Sequence, residues 1–168
     1  MDDFELDRFC IDARPRLVGL LGLYCGDAGV AEELAHETLA RVCQRWDQVK
    51  TMESPQAWTF KVAMNLASSY FRRKAAERRA KERLGALQEA APEPSSDWSI
   101  TVREAVAALP RRQRTALLLR YYLDLPVVDT ARLMGCAEGT VKALTFKAIA
   151  SLRIHPALKE VGEVTNAG

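Results

Sequence analysis

The chain has 168 residues, 48% hydrophobic and 27% charged with a net charge of +2, a globular balance with room for one ordinary domain or two small ones. No apolar run approaches the roughly 18 residues that a membrane span requires. The start, Met1-Asp2-Asp3-Phe4-Glu5, is acidic where a secretory signal is positive and then apolar, so a cytoplasmic protein without membrane insertion is expected.

Four cysteines (Cys10, Cys25, Cys43, Cys136) and two histidines (His36, His155) lie at wide spacings that offer no clustered ligand set. No metal and no cofactor are expected, and the cysteines read as small buried hydrophobes kept reduced. With no nucleophile–base pair and no glycine loop to cradle phosphate, no catalytic residue is assigned and the chain is not expected to be an enzyme.

Apolar residues recur at helical spacing over residues 4–23 (Phe4, Leu6, Phe9, Cys10, Leu17, Leu20, Leu21), with Pro15 expected to kink or split the helix. Gly26 breaks the pattern, and Asp27 caps a second helix with the stripe Val30, Leu34, Leu39, Val42 and Trp46. A polar loop is expected over residues 47–54. Pro55 then opens a third helix carrying Trp58, Val62, Leu66 and Phe71. That helix runs into a basic stretch: residues 69–85 hold seven basic and two acidic side chains, net +5, leaving the rest of the chain at −3. Such a concentration is an electrostatic footprint for phosphate.

Residues 89–97 carry two prolines and two serines and read as a linker. Beyond it, helices are expected over residues 100–109, from Pro110, from Pro126 to Gly135, and from Glu138 to Arg153. The fold class is therefore all-α: two small helical domains joined by a flexible linker, the C-terminal one with a helix-turn-helix. The expected boundaries are 1–84, a linker 85–98, 99–155, and a tail 156–168.

The helix-turn-helix rests on spacing over residues 127–146. Ala131 is small where two helices meet, and Gly135, four residues on, supplies the positive φ of the turn. Val141, six further, plugs the second helix into the core, and Leu144 extends its apolar face. With Val141, Leu144, Ala148 and Leu152 inward, Thr140, Lys142, Ala143, Phe146 and Lys147 face outward. Gly139 and Thr140 allow amide contact with a phosphate at the helix start. Lys142 and Lys147 suit phosphates or guanine, and Ala143 or Phe146 a thymine methyl.

Three segments, Ala-Leu-Pro-Arg-Arg-Gln-Arg (108–114), Leu-Arg-Tyr-Tyr (119–122) and Gly-Thr-Val-Lys (139–142), resemble region 4 of bacterial sigma factors of the extracytoplasmic-function (ECF) group. Gly-Asp-Ala-Gly-Val-Ala-Glu-Glu-Leu (26–34) is similar to the region 2 helix of that group. Asn65-Leu66-Ala67, followed by Arg72-Arg73-Lys74, resembles its segment that meets the −10 element. The resemblance covers nearly the whole chain, in order.

The resemblance implies a sigma factor that binds core RNA polymerase and directs initiation at promoter DNA. Glu32, Glu33 and His36 fall on positions that dock on the clamp of the polymerase β′ subunit, and the C-terminal unit would lean on the flap of β. Asn65, Ser68, Ser69, Arg72 and Arg73 fall where melted −10 DNA is read, amides and hydroxyls for base edges and arginines for the backbone. Gly139, Thr140, Lys142, Ala143, Phe146 and Lys147 would meet the −35 duplex. Ala143, Leu144 and Ile149 depart from the more basic family pattern, and fewer phosphate contacts lower non-specific affinity. Anti-sigma proteins are a further partner class in the family. Two other readings are a helix-turn-helix regulator that binds duplex DNA without acting as a polymerase subunit, and a helical protein docking only on other proteins.

Overall fold

The computed structural model describes residues 2–85, 98–156 and 158–159, all helix and turn with no strand among them. Most of the expected linker and tail lies outside the described residues. Helix α1 spans Asp2–Cys25 and is not split at Pro15, contrary to expectation. A proline leaves the carbonyl four residues earlier without its amide partner. Here that residue is Ile11, exposed like Pro15 itself, so the missing bond falls on the solvent side of the helix rather than in the core.

Gly26, at φ +71°, ends α1, and the Asp27 carboxylate accepts from the Val30 amide at 2.9 Å to start α2, Ala28–Gln44. So short a connection makes α1 and α2 an antiparallel hairpin. A four-residue helix α3, Trp46–Val49, occupies part of the expected loop. Ser54 caps α4, Pro55–Arg83, with Pro55 in its first turn as expected.

Leu17, Leu20 and Leu21 of α1 are fully buried in one cluster with Ala31, Leu34 and Ala35 of α2. Helix α4 contributes Thr59, Phe60, Ala63 and Ala67, one turn-face round from the expected Trp58, Val62, Leu66 and Phe71, which are only half-buried. Alanines set the contact because they let the backbones approach, and the larger residues flank it. Phe4, also expected on the apolar face, is 73% exposed.

The C-terminal half comprises α5 (Trp98–Ala107), α6 (Arg111–Leu117) continued by a π-helical turn Leu118–Tyr122, α7 (Val127–Met134) and α8 (Glu138–Ile154). Leu117, Leu118 and Leu119 are all buried. Three successive residues cannot share one helix face. They are buried because this segment is sandwiched, with α1 on one side and α7 and α8 on the other. Four threonines, Thr38, Thr59, Thr130 and Thr145, are buried, each hydroxyl donating to the carbonyl four residues earlier. Their polar groups are thereby satisfied, and their methyls pack as apolar surface.

The two halves share one core. Helix α1 packs on α5 and on the π-helical turn, and a Cβ added at Gly19 would lie 1.9 Å from the Tyr122 hydroxyl oxygen. Arg114 completes the junction. Only 7% exposed, its guanidinium donates to the carbonyls of Tyr24 (2.6 Å), Leu109 (3.0 Å) and Ala107. It also lies 5.3 Å from the Tyr24 ring and 5.7 Å from the Phe71 ring. Tyr24 and Ala107 stand at the C-terminal ends of α1 and α5, where carbonyls lack helical partners and the helix dipoles favour a cation.

Candidate nucleic-acid and polymerase interface

The helix-turn-helix forms as the spacing predicts. Gly135 closes α7 in the left-handed region at φ +61°, and the Cys136 amide returns to the Ala131 carbonyl at 3.1 Å. Nothing lies within 4 Å of a Cβ built at Gly135, so a side chain there meets only backbone strain. Gly135→Ala is therefore expected to cost about 1–2 kcal/mol in urea unfolding; an unchanged midpoint would mean the turn is not held in this conformation.

Val141 is fully buried, Ala131 6% exposed and Ala148 fully buried, with Leu144 and Leu152 half-buried beside them. The opposite side of α8 presents Lys142, Ala143, Phe146 and Lys147 to solvent, Phe146 at 75% exposure. Ile149 packs against the core, a physical reason for an apolar residue where the family often has arginine.

At the start of α8 no side chain caps the first turn. The Thr140 and Val141 amides turn back to the Ala137 carbonyl at 3.0 and 3.2 Å, so the Thr140 amide is already engaged, and Glu138 adds a negative charge beside it. Of the two backbone groups expected at this helix start, Gly139 is the more exposed.

Glu32, Glu33 and His36 stand together on the exposed side of α2. Glu32 is held by Arg14 of α1 at 2.7 Å, an ion pair half open to solvent on both sides that orients the carboxylate more than it stabilises the fold. On α4, Asn65, Arg72 and Arg73 are exposed, while Ser68 and Ser69 are half-buried. The Arg72 guanidinium donates to Ser69 Oγ at 3.0 Å, and Arg111 of α6 reaches Ser68 at 3.3 Å to its carbonyl oxygen and 3.5 Å to Oγ. Tyr70 lies edge-on to Phe71 with Lys74 5.3 Å above its ring. Phe71 in turn packs on Tyr24, which makes it part of the junction between the halves.

Residues 11–77 match the model for Sigma-70 region 2, and residues 99–152 that for Sigma-70, region 4. Over 146 residues the chain is 32% identical to the ECF RNA polymerase sigma factor SigL of Mycobacterium tuberculosis (strain ATCC 25618 / H37Rv), covering 82% of this chain and 79% of that protein. The chain belongs to the ECF group of RNA polymerase sigma factors. It is 28% identical over 124 residues to the RNA polymerase sigma-E factor of Streptomyces antibioticus, covering 73% of this chain and 68% of that one. Among solved structures, the sigma factor RpoE of Bartonella quintana, crystallised with the anti-sigma factor NepR, shares the fold. The TM-score is 0.76 at 24% identity, over 95% of this chain and 98% of that one.

As an ECF sigma factor the protein is a polymerase-binding subunit that directs promoter-specific transcription initiation. No described helix is long and apolar enough to cross a membrane, and no group of three or more metal-ligating side chains occurs among the described residues. Sequence reasoning missed Arg111 and Arg114. It also misjudged the cysteines: Cys43 is exposed and the other three half-buried, so none is the fully buried hydrophobe expected. Burial pushes the Cys25 thiol up to about 11, the behaviour of an inert structural cysteine.

Proposed function

We propose that the chain works through three surfaces: a polymerase-docking face on α2, a −10-reading face on α4 and a −35-reading face on α8. The observation that carries this reading is the ordered pair of matches on one chain, region 2 over 11–77 and region 4 over 99–152. A duplex-binding regulator independent of polymerase has no use for region 2. The mechanism is binding, not catalysis, and the work is cytoplasmic, where polymerase and promoters are.

Glu32, Glu33 and His36 dock on the clamp of β′, and the C-terminal unit leans on the flap of β. Asn65, Ser68 and Ser69 read opened −10 bases while Arg72 and Arg73 hold the backbone. Ser68 is engaged by Arg111, so its use on DNA requires that contact to release. Lys142, Ala143, Phe146 and Lys147, with Gly139 and Thr140 at the helix start, meet the −35 duplex. We assign residues 1–84 to the first unit and 99–155 to the second, joined by 85–98 and followed by a tail, 156–168. An anti-sigma protein is a further partner, as RpoE of Bartonella quintana has in NepR.

The docking assignment is tested by co-elution with core polymerase on gel filtration. Glu33→Lys combined with His36→Glu is expected to weaken the complex at least tenfold while leaving the helical circular dichroism unchanged; undiminished co-elution would remove these residues from the interface. For α8, Phe146→Ala should leave stability within about 0.5 kcal/mol, as for an exposed residue. It should lower affinity for the cognate −35 duplex by about 1 kcal/mol or more, the size of one base contact. Equal binding by both proteins would place Phe146 outside the DNA contact.

A further inference from the structure

The four cysteines are scattered in the sequence, but the α1–α2 hairpin brings two of them together. Cys10 Sγ and Cys43 Sγ lie 4.0 Å apart across 33 residues of sequence. That is contact distance for two thiols, one S–H donating to the other sulfur. Phe9 of α1 and Trp46, the first residue of α3, pack with ring centroids 5.2 Å apart at a tilted angle, next in sequence to Cys10 and three residues after Cys43. Cys43 is exposed and Cys10 half-buried. An oxidant therefore reaches Cys43 from solvent and finds a second thiol directly behind it.

We propose that Cys10 and Cys43 form a thiol-oxidation site, which a hydroperoxide converts into a disulfide tying α1 to α2. Cys43, as thiolate, attacks a peroxide oxygen; the O–O bond breaks, the alcohol or water leaves, and Cys43 becomes a sulfenic acid. The Cys10 sulfur then attacks Cys43 Sγ. An S–S bond forms, the S–O bond breaks, and the departing hydroxide takes the Cys10 proton as water. Two thiols and one hydroperoxide yield one disulfide, one alcohol or water, and one water, the two electrons passing from sulfur to peroxide.

Two alternatives fit the geometry less well. A metal site needs more than two ligands, and no group of three occurs among the described residues. Permanently inert thiols would suit the buried cysteines of a core, which an exposed Cys43 is not. Burial, followed by the neighbouring Cys43, pushes the Cys10 thiol up to about 11, so Cys10 is not the thiol that meets the oxidant and gives up its proton only as hydroxide leaves Cys43 beside it. In a reducing compartment a disulfide of this kind is transient and regulatory rather than structural.

The site also has a consequential position. Cys43 lies seven residues after His36 and eleven after Glu32, two and three helical turns along the same face of α2. The disulfide test reads chemistry alone and stands whether or not that face docks on polymerase.

The experiment treats the dilute full-length chain with hydrogen peroxide, traps remaining thiols by alkylation and maps disulfides by mass spectrometry. The expected product is a monomer lacking two hydrogens, with a peptide joining Cys10 to Cys43 that a dithiol reductant reverses. Its melting temperature should rise by several degrees, because the closed loop restricts the unfolded chain. Cys10→Ser and Cys43→Ser should each abolish the cross-link, and Cys25→Ser should leave it intact. The proposal is overturned if both thiols remain alkylatable, if Cys43 pairs only between two chains, or if it proceeds to sulfinic acid without a cross-link.

Discussion

Replacing Arg114 by methionine should loosen the two helical halves from each other while leaving each of them helical. Methionine keeps much of the apolar stem but removes every donor that Tyr24, Ala107 and Leu109 use. Two buried carbonyls and one part-buried one would then lose this partner, and the aromatic pair Tyr24 and Phe71 would lose its cation. Burial lowers the Arg114 pKa, yet guanidinium stays charged throughout the working range, so its charge is a fixed part of the junction. Removing one partner of a buried charged network costs on the order of 3–5 kcal/mol. The cost is limited by the strength of the junction, since once the halves part the carbonyls find water. The expected result is a lower urea midpoint, a larger radius by small-angle scattering and nearly unchanged far-ultraviolet circular dichroism. An unaltered midpoint and radius would mean that Arg114 is not what joins the halves.

The second large effect is expected on α4. Arg72 and Arg73 are exposed at the start of the basic stretch, next to the residues assigned to the −10 element. Each arginine that neutralises a phosphate of single-stranded DNA contributes about 0.7 to the slope of log affinity against log salt. The double variant Arg72→Ala, Arg73→Ala should therefore reduce that slope by about 1.4, measured on an opened −10 template with the polymerase complex. Transcription from the cognate promoter should fall at least tenfold at moderate salt. Arg72 also holds Ser69 Oγ, so the preference among −10 bases should relax as well. A slope unchanged within error would place these arginines away from the DNA backbone.

The helix-turn-helix was legible because its determinants are local. Gly135 has one conformational reason to be where it is, and Val141 follows at a spacing set by helix geometry. The junction between the halves was not legible, because it depends on contacts across 43 to 90 residues of sequence. One signal was available. Arg114 shares a helix face with Leu117 and Leu118, three and four residues on, and all three are buried. A charged residue on an otherwise apolar face points to a buried carbonyl partner more than to solvent.

Proline and cysteine misled for related reasons. Pro15 was read from the bond it removes, whereas its cost depends on which side of the helix it occupies, here the solvent side. The cysteines were read from their spacing, whereas Cys10 and Cys43 meet only once the hairpin folds. On α4 the periodicity was right and the face was wrong. Large residues drew attention, but Ala63 and Ala67 make the close contact. The polymerase and −10 assignments rest on family resemblance alone, since exposed glutamates and arginines on helices have no distinguishing local physics.

The central claim, that this ECF sigma factor carries promoter recognition into core polymerase, is tested most directly by run-off transcription with core RNA polymerase on genomic fragments. Discrete transcripts should appear only when both proteins are present, and their start sites should define shared −35 and −10 sequences. If core polymerase gives the same transcripts with and without the chain, or the chain binds duplex DNA but yields no transcript, the account is contradicted.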